Sequence, residues 1–102
     1  MTLAERQRIS EQITHLIKGD WDEAVETGSF DGRPDRHMSR LAFLVDQQGW
    51  RELLEINDEA LTASIEVQRK SAERLKQSGE EGVDGRMVQL LFEMPRLDPQ
   101  DS

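Results

Sequence analysis

A single long helical pattern constrains this chain more than any other feature of its sequence. A helix is predicted over roughly residues 47–78, with Asp46 capping its first turn and Ser78-Gly79 ending it. At 1.5 Å per residue it is about 45 Å long, more than one small domain needs. Its apolar face consists of Trp50, Leu53, Leu54, Leu61, Ile65, Ala72 and Leu75, interrupted by Asn57, Ser64, Gln68 and Ser71. Long helices with such a seam often pack against a partner chain.

An amphipathic helix is predicted near the N-terminus. Thr2 and Glu5 have the spacing of a capping box, and Gly28 fits a C-terminal stop. Gly19 lies inside this segment, and the pattern leaves open whether it kinks the helix. The apolar stripe is formed by Ile9, Ile13, Leu16, Ile17, Trp21, Ala24 and Val25.

Two short segments alternate in the manner of strands. Residues 37–45 begin half polar and end fully apolar, with Leu41, Phe43 and Val45 on one face, and residues 86–94 carry apolar side chains at every second position. A loop spans 28–36, and Pro95 ends the second segment. We therefore expect an α+β fold, with an amphipathic helix and one long helix on a small two-stranded sheet of undecided direction. Residues 1–95 form one domain and 96–102 a flexible tail. Because two strands alone are marginally stable, a homodimer is expected.

Composition restricts the functional classes. Cysteine is absent, which excludes disulfides and thiolate chemistry and favours the cytoplasm. The net charge is −8, which disfavours binding to nucleic acid by this chain alone. We find neither an apolar run long enough to span a membrane nor a signal peptide.

Three stretches, taken together, resemble a known family. They are Phe30-Asp31-Gly32-Arg33-Pro34-Asp35-Arg36-His37-Met38-Ser39-Arg40, then Val45-Asp46-Gln47-Gln48-Gly49-Trp50-Arg51-Glu52-Leu53, then Ser78-Gly79-Glu80-Glu81-Gly82-Val83 before the last predicted strand and Pro95. In this order they resemble the C-terminal region of ArsR-like winged-helix transcription regulators of the actinobacterial type. The resemblance runs from about Ile9 to Pro95.

The resemblance implies a bacterial transcription regulator, usually dimeric, whose C-terminal part supports dimerisation or senses an effector. It implies that DNA is read by an N-terminal winged helix. These 102 residues contain no helix-turn-helix pattern, so we expect DNA contact only through a winged-helix domain absent from this chain. Two alternatives stay open: a free-standing adaptor for protein–protein interaction, and a small-ligand-binding protein.

Two groups of residues are candidate contact sites. Arg33, Arg36, His37 and Arg40 lie in the one non-acidic segment and could bind an anionic effector or a partner domain. A structural alternative is that Asp35 pairs with Arg33 or Arg36 and locks the loop. The second group is a dimer or core seam on the long helix, formed by Trp50, Leu54, Asn57, Leu61, Ser64 and Gln68.

Catalytic and cofactor chemistry find little support in the sequence. His15 and His37 lack the spacing of a metal site, and no nucleophile elbow is found. His37 and Ser39 share a predicted strand face without an evident third group. The five aromatic residues could line an apolar pocket or belong to an ordinary core. We therefore expect no enzyme activity, cofactor or metal.

Overall fold

The structure, a computed structural model, describes residues 1–96 and contains three helices in that range. These are α1 (Leu3–Glu26), α2 (Ser29–Gly32) and α3 (Gln47–Ser78). The chain divides into two units, Met1–Ala42 and Phe43–Ser102, and each is described by itself. The predicted tail lies outside the described residues apart from Arg96.

Helix α1 begins at the predicted capping box. The Thr2 hydroxyl accepts a hydrogen bond from the Glu5 amide at 3.1 Å, and the Glu5 carboxylate accepts one from the Thr2 amide. The helix continues through Gly19 and ends at Glu26. Gly28 then adopts a positive φ of 79°, which an L side chain rarely tolerates. Both predicted ends of this helix are thus confirmed, and Gly19 does not end it.

Helix α3 has the predicted bounds. The Asp46 carboxylate caps it by accepting the Gly49 amide at 2.7 Å. A Cβ on Gly49 would lie 2.9 Å from Cβ of Val45, so this position has no room for a side chain. Gly79 ends the helix with a φ of 72°, and its amide donates to the Leu75 carbonyl.

The predicted two-stranded sheet is wrong. No strand occurs among residues 1–96. This part of the chain consists of three helices and of connecting segments that belong to neither helix nor sheet. Residues 37–45 and 87–94 make no backbone–backbone hydrogen bond to any described residue. A strand exists only through such a ladder, so alternating side chains without a paired neighbour leave an extended segment. The α+β class is therefore corrected to an all-helical description of residues 1–96.

No described residue is buried. Every side chain in residues 1–96 is either exposed or only partly buried, and the partly buried ones cluster along α3 and near the end of α1. Apolar side chains such as Ile56, Ile65 and Val67 remain 57–63% exposed on α3. The apolar faces of both long helices thus lack the cover that a hydrophobic core would give.

Candidate interaction surfaces

An extended segment of the second unit lies along α3. We call residues 82–91 the strap. Gly82 is against Leu75, because a Cβ on Gly82 would lie 3.2 Å from Cδ1 of Leu75. Further along, the Met87 sulfur is 3.7 Å from the Ser64 hydroxyl. The contacts therefore proceed backwards along the helix as the chain proceeds forwards, which makes the strap antiparallel to α3.

The strap ends near the first half of α3. The Gln89 amide Nε2 lies 3.4 Å from both the backbone carbonyl and the side-chain oxygen of Asn57. Leu75 lies eighteen positions after Asn57, about 27 Å along the helix, and the seven steps from Gly82 to Gln89 span at most about 23 Å. The strap backbone is therefore close to fully extended, and the Gln89 side chain reaches the remaining distance to Asn57.

Side chains make most of the contacts between the strap and α3. Asn57 and Ser64 donate to carbonyls one turn earlier on α3, at 2.8 and 2.7 Å. Met87 and Gln89 contact these two short polar side chains, and Leu91 is partly buried beside them. Met87, Gln89 and Leu91, at every second position of the strap, therefore face the helix, although no sheet forms.

The residues of the predicted seam on α3 have different surroundings, and several of them contact other segments of the same chain. The ring centroids of Trp50 and Phe43 are 6.3 Å apart. Asn57 and Ser64 contact the strap, and Gln68 is exposed. The remaining seam residues, Leu54 and Leu61, line a cleft described next.

A shallow cleft of about 210 Å³ opens between α3 and the end of the strap. Its lining combines leucine side chains with two amides and one carboxylate, from Leu54, Asn57, Asp58, Leu61, Gln89 and Leu91. Pockets for drug-sized ligands span roughly 300–1,000 Å³. The cleft can accommodate one apolar side chain or a very small molecule.

A second apolar stripe on α3 was not singled out from the sequence. Ile56, Ala60, Ala63 and Val67 follow one another at spacings of four, three and four residues, which places them on one helix face. At 3.6 residues per turn this stripe lies roughly a quarter of a turn from the strap-bearing side. All four residues are exposed. The four-three-four spacing could have revealed this stripe in the sequence. It was overlooked because the larger leucines of α3 define a more obvious apolar face.

In the first unit, an aromatic and ionic cluster fastens the loop after α1. Trp21 and Phe30 meet edge to face with ring centroids 4.7 Å apart. The Arg36 guanidinium lies over the Phe30 ring at 5.1 Å, and one of its nitrogens is 3.7 Å from Asp31. Edge-to-face and cation–π geometries are both attractive, so these contacts hold the loop against the end of α1.

The predicted anion site is partly neutralised by its own chain. Arg33 forms an ion pair with Asp35 at 2.7 Å, and Arg36 faces Asp31. The His37 ring contacts the Ser39 hydroxyl at 3.0 Å. No ion pair of Arg40 occurs within the described residues. Two of the four predicted residues, Arg33 and Arg36, therefore already face carboxylates, and an effector contact there stays a prediction.

The first unit brings His37 and Ser39 into hydrogen-bond contact. His37 and Ser39 are both exposed, and Ser39 is the sole side-chain partner of the His37 ring in residues 1–96. Nucleophilic catalysis also needs a group that orients the base and donors for an oxyanion. Across the described residues, no group of three or more His, Asp or Glu side chains is placed to hold a metal ion.

Arg69 forms an exposed ion-pair network on α3 with Glu66 and Glu73. Arg69 bonds Glu66 at 2.7 Å and Glu73 at 3.1 Å. The hydrogen bond from Arg69 lowers the pKa of Glu66, and the same bond raises the pKa of Arg69. This exposed network supports the helix and does not form a site.

Comparison of the sequence with protein-family models, with curated proteins and with solved structures finds no match. In the described part of the chain, no helix has both the length and the apolar character required to cross a bilayer.

Proposed function

We propose that this chain is a cytoplasmic regulatory and dimerisation module of a bacterial transcription regulator, and that it acts by binding and not by catalysis. DNA contact would come from a winged-helix domain that these 102 residues do not contain. The proposal takes its regulatory part from the three stretches that resemble ArsR-like regulators. Its dimerisation part rests on physical properties of α3.

The carrying observation is that α3 exposes apolar side chains along most of its length. Ile56, Ile65 and Val67 are 57–63% exposed even though the strap lies nearby. Burial of apolar surface drives both folding and association, at about 25 cal/mol per Å². A second copy of the chain would supply the cover that residues 1–96 do not supply themselves.

The charge of the chain supports indirect DNA contact. The net charge is −8, and two of the three arginines in the segment around Arg36 already face carboxylates. Proteins that bind duplex DNA gain affinity by neutralising phosphates with lysine and arginine. The carboxylates that face Arg33 and Arg36 weaken the segment around Arg36 for that role.

Sedimentation velocity on the full chain tests dimerisation. We expect a dimer at concentrations on the order of 10 μM, because an exposed face of this extent favours association. A gel shift with mixed duplex DNA should show no complex. A strict monomer that captures another protein would favour the adaptor alternative, and tight salt-sensitive DNA binding would contradict the proposal.

Binding of a small ligand has weaker support. The cleft beside Leu91 brings apolar walls and two amides together, and its volume is about 210 Å³. A site of this size and openness could bury only a small part of an effector. We therefore place dimerisation first.

A further inference from the structure

The second apolar stripe of α3, formed by Ile56, Ala60, Ala63 and Val67, is an unpartnered helix face. Ile56 is 60% and Val67 is 63% exposed, and both alanines are exposed. The four-three-four spacing is the heptad pattern by which two helices bury a shared seam. The strap lies on the neighbouring side of α3, where it contacts Asn57 and Ser64, so it leaves this stripe uncovered.

The stripe is shaped for close approach at its centre. Alanine occupies the two middle positions, whereas larger β-branched side chains occupy the two ends. A helix crossing here can approach closely at Ala60 and Ala63 while Ile56 and Val67 contact it on either side. The arrangement is nearly symmetric about the midpoint, as a two-fold interface requires.

The charge of α3 identifies the partner and its direction. Residues 47–62 carry one basic and four acidic side chains, a net charge of −3. Residues 63–78 carry four basic and two acidic side chains, a net charge of +2. Two parallel copies would place like charges together, whereas two antiparallel copies place the acidic half of each beside the basic half of the other.

We propose that a second copy of this chain packs its α3 antiparallel onto this stripe. Ile56 of one copy then lies opposite the partner's Val67, and Ala60 lies opposite the partner's Ala63. Glu52 comes near the partner's Lys70. This inference rests on the proposed dimerisation. It adds which face of α3 forms the interface and that the two helices run antiparallel.

Disulfide trapping tests the direction, since the chain contains no cysteine of its own. One preparation carries Ile56→Cys and a second carries Val67→Cys, and the two are mixed in equal amounts and oxidised. Both positions are exposed, so neither change removes a core contact. Antiparallel pairing predicts the mixed 56–67 disulfide as the main product. Residues 56 and 67 are about 16 Å apart along one helix, so 56–56 and 67–67 bonds would be out of reach.

A charge substitution tests the surface. Ala60→Glu places an unpaired carboxylate at the centre of the seam and should raise the dimer dissociation constant about tenfold or more. Leu44→Glu is the control, because Leu44 is 98% exposed and lies outside α3. Circular dichroism of both variants should match that of the unchanged chain, which shows that the helices remain folded.

The outcomes separate this inference from the proposed function. The mixed disulfide together with the Ala60→Glu effect supports both. Dominant 56–56 and 67–67 products, or a dimer unaffected by Ala60→Glu, would overturn the antiparallel stripe and leave dimerisation intact. A chain that sediments as a monomer and forms no disulfide would overturn both.

Discussion

Each of the two units contains a long helix followed by a segment that turns back and packs against that helix. The contacts that hold this segment differ between the units. In the first unit the returning loop is held by an aromatic pair and an arginine, with Trp21, Phe30 and Arg36 within fifteen residues of one another. In the second unit the strap is held by weak polar and sulfur contacts across more than twenty residues, such as Ser64 to Met87.

The difference has an energetic meaning. Local contacts close short loops, whereas the strap must offset the entropy of a longer closure with contacts of 3.4–3.7 Å. Backbone hydrogen bonds would fasten the strap more firmly, yet residues 87–94 make none to the described chain. We therefore expect the first unit's loop to be firmly attached and the strap to be the more easily displaced element.

The largest expected effect comes from removing the first unit's anchor. Phe30→Ala deletes the edge-to-face contact with Trp21 and the face under Arg36, which together stabilise by about 2 kcal/mol. Urea titration of Trp21 fluorescence, in a Trp50→Phe background that silences the second unit, measures this loss. Leu44→Ala is the control, since that side chain is 98% exposed. An unchanged midpoint for Phe30→Ala would remove the contrast between the units.

A smaller effect is expected at the start of the strap. Gly82 has a φ of 84°, and a Cβ there would also approach Leu75, so Gly82→Ala should cost about 1 kcal/mol. The ratio of docked to undocked strap should fall about fivefold. The rate of disulfide formation between Ser64→Cys and Met87→Cys in one chain measures it.

Gly85→Ala is the matched control for that experiment. A Cβ on Gly85 meets nothing within 4 Å, and its φ is not in the left-handed region. Equal disulfide rates in the Gly82→Ala and Gly85→Ala backgrounds would show that the close approach to Leu75 does not fix the strap.

The smallest effect concerns pH and the outer face of α3. Arg69 lowers the pKa of Glu66 from its usual 4.5, so this pair stabilises the helix above that value. The contribution is lost as pH falls through the lowered pKa. Thermal unfolding should therefore show Glu66→Gln slightly less stable than the unchanged chain at neutral pH, and the difference should shrink as pH falls below the usual pKa of 4.5. A difference in stability that does not change with pH would contradict this role of the pair.

Several parts of the fold could be predicted from the sequence because they depend on neighbouring residues. The Thr2–Glu5 capping box, the Asp46 cap and the Gly79 stop are short-range hydrogen-bond arrangements, and all three occur as predicted. The alternative in which Asp35 pairs with Arg33 is also local, and that ion pair is present. Part of the candidate seam could also be predicted, because Asn57 and Ser64 stand out as polar residues within an apolar helix face.

What occupies that seam was decided by tertiary structure. The alternation in residues 86–94 shows which side chains share a side of the segment. A strand also requires a neighbouring backbone at hydrogen-bond distance. The pattern of one segment carries no information about which neighbour it will have. The structure places this segment against a helix, where Met87 and Gln89 reach Ser64 and Asn57. Helices satisfy their backbone within themselves and can be read locally, whereas extended chain acquires its structure only from what lies beside it.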